Sequence, residues 1–290
     1  MAEFLQFLLS GITVGAIYAL VGLGFSLIFN ASQVINFAQG EFVMIGGLAA
    51  AVLVERGVSL PLAAAIAIAA SLLVGLALEK LAVERARGAS VTTLIIITIG
   101  ASIFLRGLAQ VVFDRNYHSL PAFSGERAIN IAGATLVPQT LWVIGVTLLI
   151  VAALWWFYER TLLGKAVLAT SYNPLAAKLV GIDTRAVLLL SFGLSAALGA
   201  VGGILITPIS LTSADAGVML GLKGFSASIL GGLGSALGAV AGGLVLGIVE
   251  ALGAGYVSSA YKDAIAFVII LAVLFARPQG LFGRIGAERV

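Results

Sequence analysis

Long apolar runs separated by short polar stretches dominate the whole sequence. Nine such runs cover residues 4–29, 42–54, 58–78, 89–113, 141–157, 186–206, 218–230, 235–250 and 263–276. A bilayer core about 30 Å thick needs roughly 20 apolar residues per spanning helix, and two of these runs are too short to span easily. Because the runs are continuously apolar rather than alternating with period two, they predict helices and not barrel strands. We expect an all-α polytopic membrane protein with about eight transmembrane helices and one short helix, broken or re-entrant.

Composition agrees with this fold class. The 290 residues are 61% hydrophobic and only 10% charged, so we treat 1–290 as a single transmembrane domain without a separate soluble part. Without cysteine the chain has no disulfide or thiolate metal site, and we predict no metal site of any kind. The single histidine, His118, lies in a polar stretch and is expected to be solvated. No phosphate-binding loop, paired carboxylates, HExxH helix or serine elbow is present, so we predict no enzymatic activity and no catalytic residue.

Basic residues form three clusters between the apolar runs. The clusters are Lys80, Arg85 and Arg87; Arg160, Lys165, Lys178 and Arg185; and Arg277, Arg284 and Arg289. Because basic loops stay on the cytoplasmic side of a membrane, we expect all three clusters and the C-terminus to face the cytoplasm. The chain must then cross an even number of times between the second and third clusters, which requires run 218–230 either to cross or to re-enter and be paired. We predict that it crosses as a broken helix. Counting backwards places the N-terminus outside and makes 114–139, with Ser124-Gly125-Glu126, the main external loop.

Glycines recur at helical spacing late in the chain. They are Gly234, Gly238 and Gly242, and also Gly243 and Gly247. Small residues four apart let helix backbones approach closely inside a membrane. This pattern predicts helix packing, either against other helices of the same chain or against another subunit.

The polar loop 159–185 contains the signals of a short capped helix. Asn173 is suited to the N-cap, Pro174 to the first helical position and Gly181 to the left-handed C-terminal cap. The residues assigned to this element are Asn173, Pro174, Leu175, Ala176, Ala177, Leu179, Val180 and Gly181. A helix of about two turns is marginal in water, so its apolar side chains need a surface to contact. That surface is either a partner protein or the membrane itself.

Polar residues interrupt the apolar pattern at VINFAQGEFVMIG, residues 34–46. A charge at the bilayer centre costs roughly 2.5–3.5 kcal/mol, so Glu41 is not expected to face lipid. In one interpretation Asn36, Gln39 and Glu41 belong to an interrupted segment that lines a watery substrate path. In the other, Glu41 lies at the end of its helix, where it favours the N-terminal dipole and caps backbone amides. Arg106 has a similar ambiguity, because it can snorkel outward or attract a carboxylate substrate.

Four blocks of sequence stand in order along the chain: VINFAQGEFVMIG at 34–46, the loop 164–183, GLKGFSASILGGLGSALGAVAGGLVLGIVEAL at 221–252, and YKDAIAFVIILAVLFARPQGLFGR at 261–284. Together they resemble the LivH-type permease subunits of bacterial ABC importers for branched-chain amino acids, over nearly the whole chain. One departure is Gln39, where the family motif NFAHGE leads us to expect histidine. The substitution removes a titratable group and puts any proton-sensitive role of that position in doubt.

The resemblance implies a multi-pass inner-membrane subunit that translocates branched-chain or similar apolar amino acids. It implies a second related permease, two cytosolic ATPase subunits and a periplasmic binding protein as partners. ATP would be used by the ATPases, and this chain would bind no cofactor. The resemblance also favours docking of the capped helix against an ATPase. Two alternatives stay open: a related urea or short-amide ABC importer, and an ion-coupled transporter that uses Glu41.

Overall fold

A computed structural model describes residues 2–86, 88–125, 127–131 and 133–282, and most of them are helical. The helices are α1 Ala2–Ser32, α2 Gln39–Glu55, α3 Leu60–Leu78, α4 Val91–Val112, α5 Pro138–Arg160, α6 Leu162–Tyr172, α7 Pro174–Leu179, α8 Thr184–Ser210, α9 Ala216–Gly231, α10 Ala236–Tyr256 and α11 Lys262–Ala276. A π-helical turn, Glu79–Val83, and a 3-10 turn, Glu84–Ala86, extend α3. Strands β1 Ile129–Ile131 and β2 Ala134–Leu136 form an antiparallel hairpin.

The all-α polytopic prediction is confirmed, and each of the nine predicted runs corresponds to a helix. Among the described residues, six helices are long and apolar enough to span a membrane: α1, α3 with its extension, α4, α5, α8 and α10. Helices α2, α9 and α11 have only 17, 16 and 15 residues. The predicted number of about eight full spans is therefore approximate, because short helices complete the bundle. Helix α6 was not predicted.

Helices α1 and α8 lie at the centre of the bundle. Most residues in the apolar stretch of each helix are buried, whereas α4 and α5 are largely exposed. Helix α2 packs along α8 with backbone contact, because Gly46 lies against the backbone of Ala200 and Gly203 against the carbonyl of Val43. A side chain at either glycine would collide with the opposite backbone.

The glycine-rich face of α10 packs inside the chain. Gly243 and Gly247 lie against the backbone of α1, and Gly238 and Gly242 against that of α9. Gly234, which was assigned to the same helix face, lies instead in the turn before α10. There its φ of 87° favours glycine.

The two ends of the bundle differ in composition. One end, called here the hairpin end, carries the N-terminal part of α1 and the β-hairpin, and the Thr135 amide donates to the Gln6 side chain there at 2.7 Å. The other, called the α7 end, carries α6, α7 and the C-terminal part of α1, where Asn30 donates to the Gly234 carbonyl at 2.8 Å. The basic residues of loop 159–185 belong to the α7 end. Arg87, Glu126, Arg284 and Arg289 lie outside the described residues.

Segment 211–231 runs from the hairpin end towards the α7 end in two parts. Thr212 pairs with His118 at the hairpin end, and residues 211–215 are not helical. Helix α9 then begins inside the helical layer, where Gly217 touches Gly40, and its last residue Gly231 accepts a backbone hydrogen bond from Phe282. The predicted broken helix is therefore wrong in detail, since α9 is continuous and the interruption precedes it.

Candidate functional site

The connection between α1 and α2 places polar groups inside the helical layer. Gln33 adopts a φ of 57°, and α2 begins where the side chain of Gln39 contacts Gly24, eight positions before the end of α1. The Phe37 amide donates to the Thr98 hydroxyl at 3.2 Å, which ties the connection to α4. The break between α1 and α2 therefore lies within the membrane layer, as the interpretation of 34–46 as an interrupted segment expected.

Glu41 is buried in the first turn of α2. Its Oε1 accepts a hydrogen bond from the Ser102 hydroxyl at 2.7 Å, whereas its Oε2 has no hydrogen-bond partner among the described residues. No side chain caps α2, so Glu41 does not serve as its cap. The first turn of a helix still favours a negative charge. Glu41 therefore combines the helix-end position of one interpretation with the buried, cavity-lining position of the other.

A cavity of about 240 Å³ opens beside Glu41, between α1, α2, α4 and α9. Gly217 forms part of its wall, and a Cβ there would lie 3.0 Å from Glu41 Oε2. Three aromatic rings stand at one side: Phe225 lies 5.5 Å from Phe25 and 5.4 Å from Phe37 between ring centroids. The cavity thus has a charged wall and an apolar wall.

Helix α4 contributes a polar stripe to this region. Thr98, Ser102 and Arg106 are spaced by four residues and share one face of the helix. Arg106 lines the same cavity as Glu41 and is half-buried. Within the described part of the chain it forms no salt bridge or hydrogen bond. Of the two interpretations, the cavity-facing one fits this position of Arg106.

The other two residues assigned to the substrate path have local partners. Gln39 is fully buried, donates from Nε2 to the Ser195 carbonyl at 3.1 Å, and accepts from the Ser195 hydroxyl at 2.5 Å. Asn36 accepts from the Ala38 amide at 3.1 Å, while its Nδ2 has no partner among the described residues. Neither residue lines the cavity beside Glu41. They fix the interrupted segment instead.

A second buried polar cluster joins α1, α9, α10 and the start of α11. Lys223 Nζ lies 2.7 Å from Glu250 Oε1 and 2.7 Å from Asp263 Oδ1. Tyr18 donates its hydroxyl to Glu250 Oε2 at 2.9 Å. Lys223 and Glu250 are therefore paired inside the bundle. Every charge of this cluster faces an opposite charge or a donor, as buried charges require.

His118 is held at the hairpin end rather than solvated, so that expectation is wrong. Its Nδ1 lies 3.0 Å from Glu55 Oε2, and its Nε2 lies 3.2 Å from the Phe113 carbonyl and 3.4 Å from Asp114 Oδ1. Burial lowers the pKa of His118, but the hydrogen bond and charge of Glu55 together with the other acceptors outweigh burial and raise it. Because the His118 backbone also pairs with Thr212, this residue fastens the loop onto α2 and the end of α8.

The predicted capped helix is confirmed as α7. Asn173 Oδ1 accepts from the backbone amides of Leu175 and Ala176 at 3.1 and 3.0 Å, and Pro174 occupies the first turn. Gly181 has a φ of 87°, and its amide donates to the Lys178 carbonyl at 3.1 Å. This is the hydrogen-bond pattern of a glycine-terminated helix.

One face of α7 is exposed and apolar. Leu175, Leu179 and Val180 are 73%, 89% and 76% exposed, while Ala177 is buried against the rest of the chain. Ala176 lies on the exposed side as well. Three large exposed apolar residues on one short, well-capped helix form a contact surface.

Comparisons with known proteins agree with these features. The family described as "Branched-chain amino acid transport system / permease component" matches residues 7–274. The chain is 35% identical to the high-affinity branched-chain amino acid transport system permease proteins BraD of Pseudomonas aeruginosa and LivH of Escherichia coli K12, over 99% of this chain and 98% of each relative. A solved structure, PsaBC from Streptococcus pneumoniae in complex with Fab, has the same fold, with a TM-score of 0.51 and 17% identity over 96% of this chain and 93% of that chain. The chain therefore belongs to the family of permease components of branched-chain amino acid transport systems.

Proposed function

We propose that this chain is a transmembrane subunit of an ATP-driven importer for branched-chain or similar apolar amino acids. The observation that carries the proposal is the match to this family along nearly the whole chain. The proposed partners are a second related permease, two cytosolic ATPase subunits and a periplasmic binding protein. ATP is hydrolysed by the ATPases, and this chain supplies the path and no catalytic group.

Helix α7 is the proposed contact with an ATPase subunit. Its caps hold two turns rigidly, and its exposed Leu175, Leu179 and Val180 match an apolar groove on a partner better than water. The α7 end then faces the cytoplasm, in agreement with the basic residues of loop 159–185. The hairpin end faces the periplasm and the binding protein.

Uptake of labelled leucine tests the function. Cells with and without the gene are compared, each under ATP depletion and under a protonophore. We expect gene-dependent uptake that follows ATP and not the proton gradient. Uptake that is lost only with the protonophore would favour an ion-coupled transporter, and the absence of any gene-dependent leucine uptake would contradict the proposed substrate.

Ala176→Asp tests the contact of α7. The exposed carboxylate should remain hydrated and oppose burial in an apolar groove, so we expect at least a tenfold lower yield of ATPase subunit co-purifying with this chain. Ser119→Asp adds the same charge at an exposed position of the hairpin end and should leave co-purification unchanged. Equal ATPase yields for wild type and Ala176→Asp would show that the ATPase does not dock on this face of α7.

A further inference from the structure

We infer that the cavity between Glu41 and Arg106 is a binding site for one free, zwitterionic amino acid with an apolar side chain. The inference rests on the proposed function, and it assigns each part of the ligand to a wall of the cavity. The ammonium group binds Glu41, the carboxylate binds Arg106, and the side chain contacts the aromatic wall.

The ammonium position follows from the hydrogen bonds of Glu41. Ser102 occupies Oε1 and fixes the plane of the carboxylate, which leaves Oε2 without a donor. A buried carboxylate oxygen without a donor is costly, and a ligand ammonium supplies both the missing hydrogen bond and the opposite charge. Gly217 leaves room at this point, since a Cβ there would crowd Oε2.

The carboxylate position follows from Arg106. This guanidinium lines the same cavity one helical turn from Ser102. Within the described residues it forms no salt bridge, and Glu41 is the acidic group whose charge acts on it. Guanidinium groups bind carboxylates through two parallel hydrogen bonds, which fixes orientation as well as charge.

The remaining wall selects the side chain. Phe25, Phe225, Ile99 and Leu222 line the same cavity as the two charges. At about 240 Å³ the space is below the size of most drug-binding pockets and fits one small amphiphile. A ligand with a third charge would leave that charge against these apolar groups, which is unfavourable.

Two charge-deletion variants in the assembled transporter test the site. The complex is placed in nanodiscs without binding protein, and binding is measured for L-leucine, for 4-methylpentanoate, which lacks the ammonium, and for 3-methylbutylamine, which lacks the carboxylate. Glu41→Gln should weaken leucine and 3-methylbutylamine roughly 10- to 100-fold and spare 4-methylpentanoate. Arg106→Gln should weaken leucine and 4-methylpentanoate and spare the amine.

This reciprocal pattern is not produced by general damage to the fold. Glu159→Gln and Arg115→Gln, at exposed positions away from the cavity, are the matched controls and should bind all three ligands as wild type does. If Glu41→Gln does not assemble, Ser102→Ala should show the same selectivity with a smaller loss. Equal weakening of all three ligands, or no change, would overturn the site while leaving ATP-driven uptake by wild type intact. Failure of wild-type uptake would instead contradict the proposed function.

Discussion

Glu41 and Glu250 are both carboxylates buried inside the helical bundle, with 1% and 6% of their surfaces exposed. Glu250 faces Lys223 and receives the Tyr18 hydroxyl, so both of its oxygens are satisfied by the chain. Glu41 has one partner, Ser102, and its second oxygen faces a cavity wall without a donor. The two carboxylates are buried to a similar degree, but only Glu250 has a partner for each of its oxygens.

The difference separates a structural charge from one available to a ligand. A buried ion pair whose charges and hydrogen-bonding atoms all have partners within the chain helps to hold α1, α9, α10 and α11 in place. A buried carboxylate with a free acceptor reduces stability unless something else binds there. We therefore expect opposite responses when each site loses charge.

The largest effect is expected at the paired cluster. Lys223→Met leaves Glu250 and Asp263 close together without their shared cation and should lower the free energy of unfolding by about 3–5 kcal/mol. Unfolding in mixed micelles with increasing SDS measures this change. Lys165→Met breaks a pair with Glu159 in which both side chains are 52% exposed, and it should change stability by at most about 1 kcal/mol. Similar values for the two variants would mean that the cluster does not stabilise the fold.

A smaller effect of opposite sign is expected at the cavity. Glu41→Gln keeps the shape and the acceptor for Ser102 but replaces a buried charge by a neutral amide. The free energy of unfolding without ligand should rise by about 1 kcal/mol. The same SDS titration, run without amino acids, measures this change in the free energy of unfolding. A marked loss of stability would show that Glu41 is a structural charge like Glu250.

The smallest effect is expected at Glu55, whose side chain is 44% exposed. Since the pKa of His118 is raised in the folded protein, its pair with Glu55 is fully present below the ordinary histidine pKa and is lost as pH rises through the raised value. His118 is the single histidine, so one imidazole NMR signal reports this pKa. Glu55→Gln should lower the titration midpoint, and an unchanged midpoint would contradict the assigned pair.

Local features of the fold could be predicted from sequence, because their signals are close together. The caps of α7 at Asn173 and Gly181 lie within nine residues and follow from side-chain chemistry alone. Helix α6 also had such a signal, since Thr161 accepts from the Gly164 amide at 2.9 Å. Its mixed polarity and internal glycine concealed it.

Contacts between distant residues could not be predicted. Ser102 is 61 positions from Glu41, and Glu250 is 232 positions from Tyr18. Such pairs depend on the rotation and depth of each helix, which apolar periodicity does not determine. The four-residue spacing of Thr98, Ser102 and Arg106 was a signal for one polar face of α4, but it did not enter our prediction.

The backbone contact of α2 with α8 has a mechanical consequence. Where Gly46 meets Ala200 and Gly203 meets Val43, no flexible side chain lies between the two helices to absorb displacement. Helix α8 begins at Thr184, a few residues after α7. A push on α7 would therefore turn α8 and α2 together as one rigid unit, and Glu41 would move with it.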